Sequence, residues 1–230
     1  ELKEILNTSE STIRRDIITL DKEGRLTKVF GGAIALHPAQ IVNKELSIVQ
    51  KQELQTTEKQ TIARYAASLI EPDDCVYLDA GTTTGWMIEY IRQEKATYIT
   101  NALSHAKRLA DKGFNVILIG GEPKSSTDAI VGGEAVLNLQ KYHFSKGFFG
   151  VNGIDRLSGF TTPDVKEAVV KQAAVKNTQP AHRYFLTTSS KFGEVYAVTF
   201  AGFEGGTILT EDNVSEVLPK SIEIINVTQQ

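Results

Sequence analysis

One short stretch concentrates hydroxyls and guanidinium groups: Ser9-Glu10-Ser11-Thr12-Ile13-Arg14-Arg15-Asp16-Ile17-Ile18-Thr19-Leu20. Ser9 is a good helix N-cap, because its hydroxyl can accept from a free amide of the first turn. Ile13, Ile17 and Leu20 then share one face at i, i+4 and i+7 and are expected to bury. Ser11, Thr12, Arg15 and Thr19 point the other way, with Arg14 on the flank. Hydroxyls and arginines at the start of a short helix are suited to base edges and phosphates. One arginine can fork onto a guanine edge, worth roughly 1–3 kcal/mol of discrimination, while the other holds a phosphate. Gly24-Arg25-Leu26-Thr27-Lys28-Val29-Phe30-Gly31-Gly32-Ala33 follows. It reads as a small β-ribbon ending in two glycines, with Lys28, Gly31 and Gly32 available to the nucleic-acid backbone. A reading helix followed by a ribbon is the pattern of a winged-helix DNA reader.

A second chemical cluster lies at Asp79-Ala80-Gly81-Thr82-Thr83-Thr84-Gly85, between an apolar strand and a helix. Gly81 permits a tight turn. Three threonine hydroxyls and the free amides of a new helix are expected to face one spot, which suits an anion such as a phosphate. The spacing is neither that of an NTP-binding loop nor that of a dinucleotide-binding turn. Other strand ends are polar as well: Asn101 after Thr97–Thr100, Gly120-Gly121 after Asn115–Ile119, and Asn152-Gly153 after Gly147–Val151. Gly159-Phe160-Thr161-Thr162 reads as a lead into a helix with Pro163 at its first position. Glu167 and Lys171, four apart on that helix, fit either a surface ion pair or two pocket groups. Ser189-Ser190-Lys191 supplies a cation. Hydroxyls, amides, Asn101, Asn152 and Lys191 together describe a pocket for a phosphorylated polyol.

These groups need a scaffold, and the pattern supplies one. Short apolar runs at 75–78, 97–100, 115–119, 147–151, 183–186, 207–209 and 222–225 read as buried strands. Helical stretches near 57–70, 86–92, 104–111, 134–140, 163–176 and 214–218 sit between them. Such alternation implies a mostly parallel α/β sheet with helices on both faces, and ligands bind beyond its strands' carboxyl ends. Residues 1–36 form the DNA-reading part, 37–56 a linker interrupted by Pro38, and 57–230 the larger α/β domain.

The net charge of −3 does not advertise a nucleic-acid binder. Within 1–36, Lys3, Arg14, Arg15, Lys22, Arg25 and Lys28 are balanced by Glu1, Glu4, Glu10, Asp16, Asp21 and Glu23, so a DNA face must arise from placement rather than excess. The single Cys75 excludes an internal disulfide and points to a reducing, cytoplasmic setting. No apolar run approaches the roughly 20 residues of a membrane span. The scattered His37, His105, His143 and His182 suggest no metal site, and no cofactor is expected.

From Leu2 to Ala33 the sequence resembles the DNA-binding domain of the DeoR family of bacterial transcription repressors, through Ser9, Thr12, Arg14-Arg15-Asp16, Leu20, Gly24 and Gly31-Gly32-Ala33. In that family a further helix precedes Leu2–Leu6, so this sequence, beginning at Glu1, is expected to lack it. The resemblance continues from Thr57 to Ile225 with the family's effector domain, itself related to ribose-5-phosphate isomerase and the coenzyme A transferases. It is carried by Asp79-Ala80-Gly81-Thr82-Thr83-Thr84, Thr100-Asn101, Gly120-Gly121, Gly150-Val151-Asn152-Gly153, Gly159–Thr162 and Ser189–Gly193. Thr188 stands where many members have Asp. Residues 130–150 look most like the fructose-operon branch. The resemblance implies a homo-oligomeric repressor, dimer or tetramer, of a sugar operon. It would bind double-stranded operator DNA and be released by a phosphorylated sugar, fructose 1-phosphate or another such as tagatose 6-phosphate.

A rival reading is a sugar-phosphate isomerase. That reaction needs a base and an electrophile at adjacent carbons. In the isomerase, carboxylates and a lysine flank the matching segment. Here Phe149 and Asn152 stand there, and between Asp155 and Pro163 there is Arg156 but no lysine. No catalytic residue is therefore expected.

Overall fold

The computed structural model describes residues 2–22, 26–35, 40–41, 46–214, 218–219 and 221–230. The chain divides into two compact units, Glu1–Gln40 and Ile41–Gln230.

The first unit contains α1 (Leu2–Ile5), α2 (Glu10–Lys22), β1 (Leu26–Val29) and β2 (Gly32–Ala35). Ser9 caps α2: its Oγ accepts from Thr12 N at 3.2 Å. β1 and β2 pair antiparallel, with Val29 opposite Gly32. The two-residue turn between them needs a left-handed residue, and Gly31 supplies it at φ +84°. Lys28 N donates to Asp21 Oδ1 at 3.0 Å and fastens the ribbon to the helix. Ile13, Ile17 and Leu20 do share the inner face, but they are only half-buried, and α2 has no fully buried residue. Gly24 and Arg25 of the expected ribbon lie outside the described residues.

The second unit runs α3 (Ile48–Glu53), α4 (Thr56–Ser68), β3 (Cys75–Leu78), α5 (Thr82–Tyr90), β4 (Thr97–Thr100), α6 (Leu103–Asp111), β5 (Asn115–Leu118), β6 (Glu122–Lys124), β7 (Ala129–Val131), α7 (Gly133–Leu139), β8 (Lys146–Gly150), β9 (Gly153–Asp155), β10 (Gly159–Thr162), α8 (Val165–Lys176), β11 (Arg183–Leu186), β12 (Val198–Ala201), β13 (Thr207–Thr210) and β14 (Glu223–Asn226). Seven strands form one parallel sheet in the order β14-β13-β11-β8-β3-β4-β5. Side chains alternate across a strand, so the sheet builds two cores. Val76, Leu78, Tyr98, Phe148 and Leu186 pack with Ile62, Ala63, Ala66, Met87 and Ile88 of α4 and α5. Tyr77, Ile99, Phe149, Phe185 and Ile208 pack on the other side with α7 and α8. Both faces are covered, as a parallel sheet requires.

Several expectations are corrected. Asn115–Leu118 and Glu223–Asn226 are strands, but among the described residues they end the sheet with no further strand beside them; Ile117, Leu118 and Ile224 are exposed. Gly159–Thr162 is not a lead-in loop but a buried strand, β10, in a three-stranded antiparallel sheet with β9 and β12. Pro163 does not begin a helix. Asp164 is the N-cap, its carboxylate accepting from Glu167 N at 2.9 Å, and α8 starts at Val165. The helix expected from Trp86 already begins at Thr82. Leu36–Ala39 and residues 42–45 of the expected linker lie outside the described residues, as do 215–217 of the helix expected at 214–218. Ile48–Glu53 is helical, closed by a capping box in which Ser47 and Gln50 bond reciprocally. Among the described residues no helix is long and apolar enough to cross a membrane.

Candidate functional site

A cavity opens at the carboxyl ends of β3, β4, β8 and β11, where parallel strands leave unpaired backbone and helices begin. Asp79 forms its floor. It is buried, and its carboxylate accepts from Gly81 N (2.9 Å) and Thr84 Oγ1 (2.8 Å) on one oxygen and from Gly150 N (2.7 Å) and Lys171 Nζ on the other. Lys171 also donates to Gly150 O at 2.9 Å. This arrangement ties the β3–α5 turn to the end of β8. Gly81 is required for it: a Cβ there would lie 2.9 Å from Asp79 Oδ1 and 3.3 Å from Gly150 Cα. The turn delivers Thr82 and Thr83 to the cavity at the start of α5, where first-turn amides have no intrahelical partner.

The second carboxylate in the wall, Glu167, accepts from Lys124 Nζ (3.0 Å) and Thr127 Oγ1 (2.5 Å). Glu167 and Lys171 are therefore not a surface ion pair. Both are buried, at 9% and 8% exposure, and each has a different partner. Asn101 is fixed by Tyr77 Oη, which donates to Oδ1 at 3.0 Å, and by its own bond to Ile130 O at 3.2 Å. Burial, helped by the charge of Asp79, holds the Tyr77 phenol well above its usual range, so this donor stays protonated.

Of the residues the sequence singles out, Asp79, Gly81, Thr82, Thr83, Asn101, Asn152, Glu167, Lys171 and Lys191 line the cavity. Thr84, Gly120, Gly121, Thr161 and Thr162 do not. Thr84 is turned inward onto Asp79 and the Gly81 carbonyl, so two threonines, not three, face the cavity. Gly121 packs against Val131 O and Ala135, and Gly120 faces the side chain of Asn138. Thr161 bonds Gly153 O and Tyr196 N inside the antiparallel sheet. Thr162 Oγ1 donates to Asn152 Oδ1 at 3.2 Å and so orients a residue that does line the cavity.

A third wall went unread. Leu46, Ile48, Lys51, Leu54, Gln55 and Lys59 close the cavity from the segment ahead of β3. Gln55, at a left-handed joint between α3 and α4, bonds Thr188 Oγ1 (2.9 Å) and Ser190 Oγ (2.9 Å). Two signals in the sequence pointed there: Ser47 and Gln50 at capping-box spacing, and Lys59 three and four residues before Ile62 and Ala63, on the apolar stripe of α4.

In the first unit Arg14 and Arg15 are both exposed. Arg14 pairs with Glu10 at 2.6 Å, and Arg15 Nε lies 3.8 Å from Asp16. Ser9, Ser11 and Thr12 form a hydroxyl cluster, with Ser9 Oγ 2.8 Å from Ser11 Oγ and 2.9 Å from Thr12 Oγ1. Thr19 Oγ1 donates back to Arg15 O at 3.0 Å. Lys28 is exposed on the ribbon, and Phe30 at its tip is fully so.

A family model described as the DeoR C terminal sensor domain matches residues 54–213, and one described as the DeoR-like helix-turn-helix domain matches residues 1–39. The chain is 43% identical over 213 residues to a Bacillus subtilis (strain 168) protein named uncharacterized HTH-type transcriptional regulator FruR, across 92% of this chain and 83% of that one. It is 37% identical over 226 residues to the lactose phosphotransferase system repressor of Staphylococcus aureus (strain N315), across 97% and 88%. A ribose 5-phosphate isomerase A from Neisseria gonorrhoeae superposes with a TM-score of 0.42 at 10% identity, over 58% of this chain and 52%, about half, of that enzyme. With one family model on the smaller unit, the other on most of the larger, and relatives above 30% identity along nearly the whole length, the chain belongs to the DeoR family.

Proposed function

We propose that the intact protein is a transcriptional repressor of a sugar-utilisation operon, most readily a fructose operon, released from its operator by a phosphorylated sugar, fructose 1-phosphate. The observation that carries this reading is the cavity at the strand ends. Its carboxylates are engaged by lysines, while the hydroxyls of Thr82 and Thr83, helix-start amides and the side chains of Lys51, Lys59 and Lys191 line it, a setting suited to a polar anion. The relatives named FruR and lactose phosphotransferase system repressor support a sugar-linked regulator.

Residues 1–36 are assigned to DNA reading, 37–56 to the connection and 57–230 to sensing, with the later part of the connection also serving as cavity wall. Arg15, Ser11 and Thr12 are assigned to base edges, and Arg14, Ser9, Thr19, Lys28, Gly31 and Gly32 to register and phosphates. In the sensor, Asp79 and Gly81 are braces, and Thr82, Thr83, Asn101, Asn152, Lys171 and Lys191 contact the sugar phosphate. A symmetric oligomer would match two operator half-sites. The sugar phosphate acts by its differential affinity for the bound and released states.

Catalysis is disfavoured. Asp79 and Glu167, the carboxylates among the described residues that line the cavity, are both held by ammonium groups, so neither stands as a ready base. A different phosphosugar, such as tagatose 6-phosphate, is favoured as a second reading by the match to a lactose-system repressor.

Calorimetric titration with fructose 1-phosphate, fructose 6-phosphate, fructose 1,6-bisphosphate, tagatose 6-phosphate, ribose 5-phosphate and free fructose tests this. Tight binding of one ester with none of free fructose is expected. Flat traces across the panel would remove the phosphosugar pocket.

A further inference from the structure

Phe30, at the tip of the β1–β2 ribbon, is not covered by its own fold. Of the large apolar side chains exposed among the described residues, it is the one with none of its surface covered; Ile5, next in order, is at 72%. Burying such a ring is among the larger gains a fold can make, and this one forgoes it. The turn does not ask for a phenylalanine either. Tight turns favour Gly, Asn, Asp, Ser and Pro, and Gly31 already supplies the left-handed residue at φ +84°. Gly32 adds a second observation. Its φ lies outside the left-handed region, and a Cβ on it would meet nothing within 4 Å. Neither backbone conformation nor packing among the described residues requires a glycine there. Phe30-Gly31-Gly32 thus sets one ring on an apex otherwise stripped of side chains, the form a backbone takes where it must come close to a ligand. The apex is also firmly placed: Val29 pairs with Gly32, and Lys28 N is bonded to Asp21 at the end of α2.

We propose that Phe30 is an apolar wedge that enters the minor groove of the operator, parts one base step and kinks the duplex. This rests on the assignment of residues 1–36 to DNA reading and adds an activity to it: the contacts assigned above grip phosphates and base edges, and none deforms the duplex. A two-residue turn that carries only the ring fits a groove about 6 Å wide. Inserted apolar side chains partly unstack a step and bend DNA by roughly 20–90° toward the major groove. The ring leaves water as it enters the stack, which offsets the unstacking. Exposed Lys28, two residues before the ring, supplies a cation for a flanking phosphate. Pyrimidine–purine steps open at the least cost, so the wedge reads the operator at a position where no side chain bonds a base edge.

The test uses the intact protein and a duplex from the promoter of its own operon, labelled at both ends for energy transfer and carrying 2-aminopurine at each adenine in turn. Wild type should shorten the end-to-end distance and raise 2-aminopurine fluorescence at one step per half-site. Phe30→Ala should bind about tenfold more weakly, leave the duplex straight and leave the base signal quenched. Phe30→Leu, which keeps an apolar wedge, should keep most of the bend and of the signal. The salt dependence of binding should be the same in all three proteins, because a ring releases no counterions. The ring covers nothing in the free protein, so the thermal midpoint should not move. A Phe30→Ala protein that bends and unstacks the duplex like wild type overturns the wedge, as does wild type that binds the duplex without deforming it. An oligomer that falls apart in Phe30→Ala without DNA places the ring against a second copy and overturns it too. Wild type that leaves the duplex unbound overturns the DNA-reading assignment itself, and the wedge with it.

Discussion

Asp79 and Lys171 lie 92 residues apart in the chain and meet as a buried ion pair under the candidate pocket. The pair is a joint: through Gly81 N, Gly150 N and Gly150 O it locks the turn after β3 to the end of β8. Removing one partner leaves the other charge buried alone. Lys171→Met should therefore cost about 3 kcal/mol. For a chain of this size that lowers the thermal midpoint by roughly 6–12 °C. The double variant Asp79→Asn/Lys171→Met should recover part of the loss. A double-mutant cycle with no coupling would show that the pair does not hold the turn.

Gly81 permits that joint sterically. Gly81→Ala puts a Cβ 2.9 Å from Asp79 Oδ1 and 3.1 Å from Thr84 Oγ1, and backbone at Gly150 blocks the third side. The turn must shift, at about 1–3 kcal/mol, and Thr82 and Thr83 shift with it. Effector affinity should fall more steeply than stability. Titration and melting of the same sample would show the difference, and unchanged affinity would place the ligand away from this turn.

The sequence made parts of this legible because they are local. Ile62, Ala63, Ala66 and Ala67 announce α4 by spacing, and Asp79 to Thr84 announces a turn at a strand end. The Gly31 turn and the Ser9 cap are single-residue requirements. What stayed hidden is what topology decides. Asn115–Leu118 is as apolar as a central strand, yet among the described strands it falls at the end of the order, and it is mostly exposed. Thr84 reads like its two neighbours, but helix rotation turns it onto Asp79. Glu167 and Lys171 sit at ion-pair spacing and are drawn to Lys124 and Asp79 instead, because the fold brings stronger buried partners to each. Lys59 could be seen as a lysine on an apolar stripe, though only the fold supplies Lys191 and the α3 carbonyl beside it.

The DNA-reading assignment predicts separable losses. Arg15 is exposed and carries no tight side-chain pair, its nearest carboxylate contact being 3.8 Å. Arg15→Ala in the intact protein should cost roughly 1–3 kcal/mol of specific DNA binding and relax discrimination at one base position. Sugar-phosphate binding should be unchanged. Fluorescence anisotropy on promoter DNA, beside calorimetry on the same preparation, reads both. Joint loss of the two activities would refute the division of labour between the units.

His105 gives the fold a pH dependence of its own. The ring lies behind Gly85 of α5, where a Cβ on that glycine would come within 2.7 Å of Nε2, and Nδ1 is buried without a hydrogen-bond partner. Burial lowers the imidazole to about 4; Arg108 adds to this, while Asp79 and Asp128 oppose it. In the unfolded chain the same ring titrates near about 6.5. Between these values the unfolded state takes up a proton that the folded state refuses. Stability from this group is thus complete above pH 6.5 and drains away as the pH falls toward 4, with a limiting slope of about 1.4 kcal/mol per pH unit. The ion pair of Asp74 with Lys146 acts in a lower window. Burial would raise the Asp74 carboxyl, but hydrogen bonds from Lys146 and Ser145 outweigh that and hold it below its usual value, so its contribution fades only in stronger acid. Urea unfolding at pH 7.5, 6 and 4.5 should therefore show wild type losing more stability than His105→Gln, which has no ring to protonate. Parallel losses in the two proteins would mean that the histidine is not held neutral by the fold.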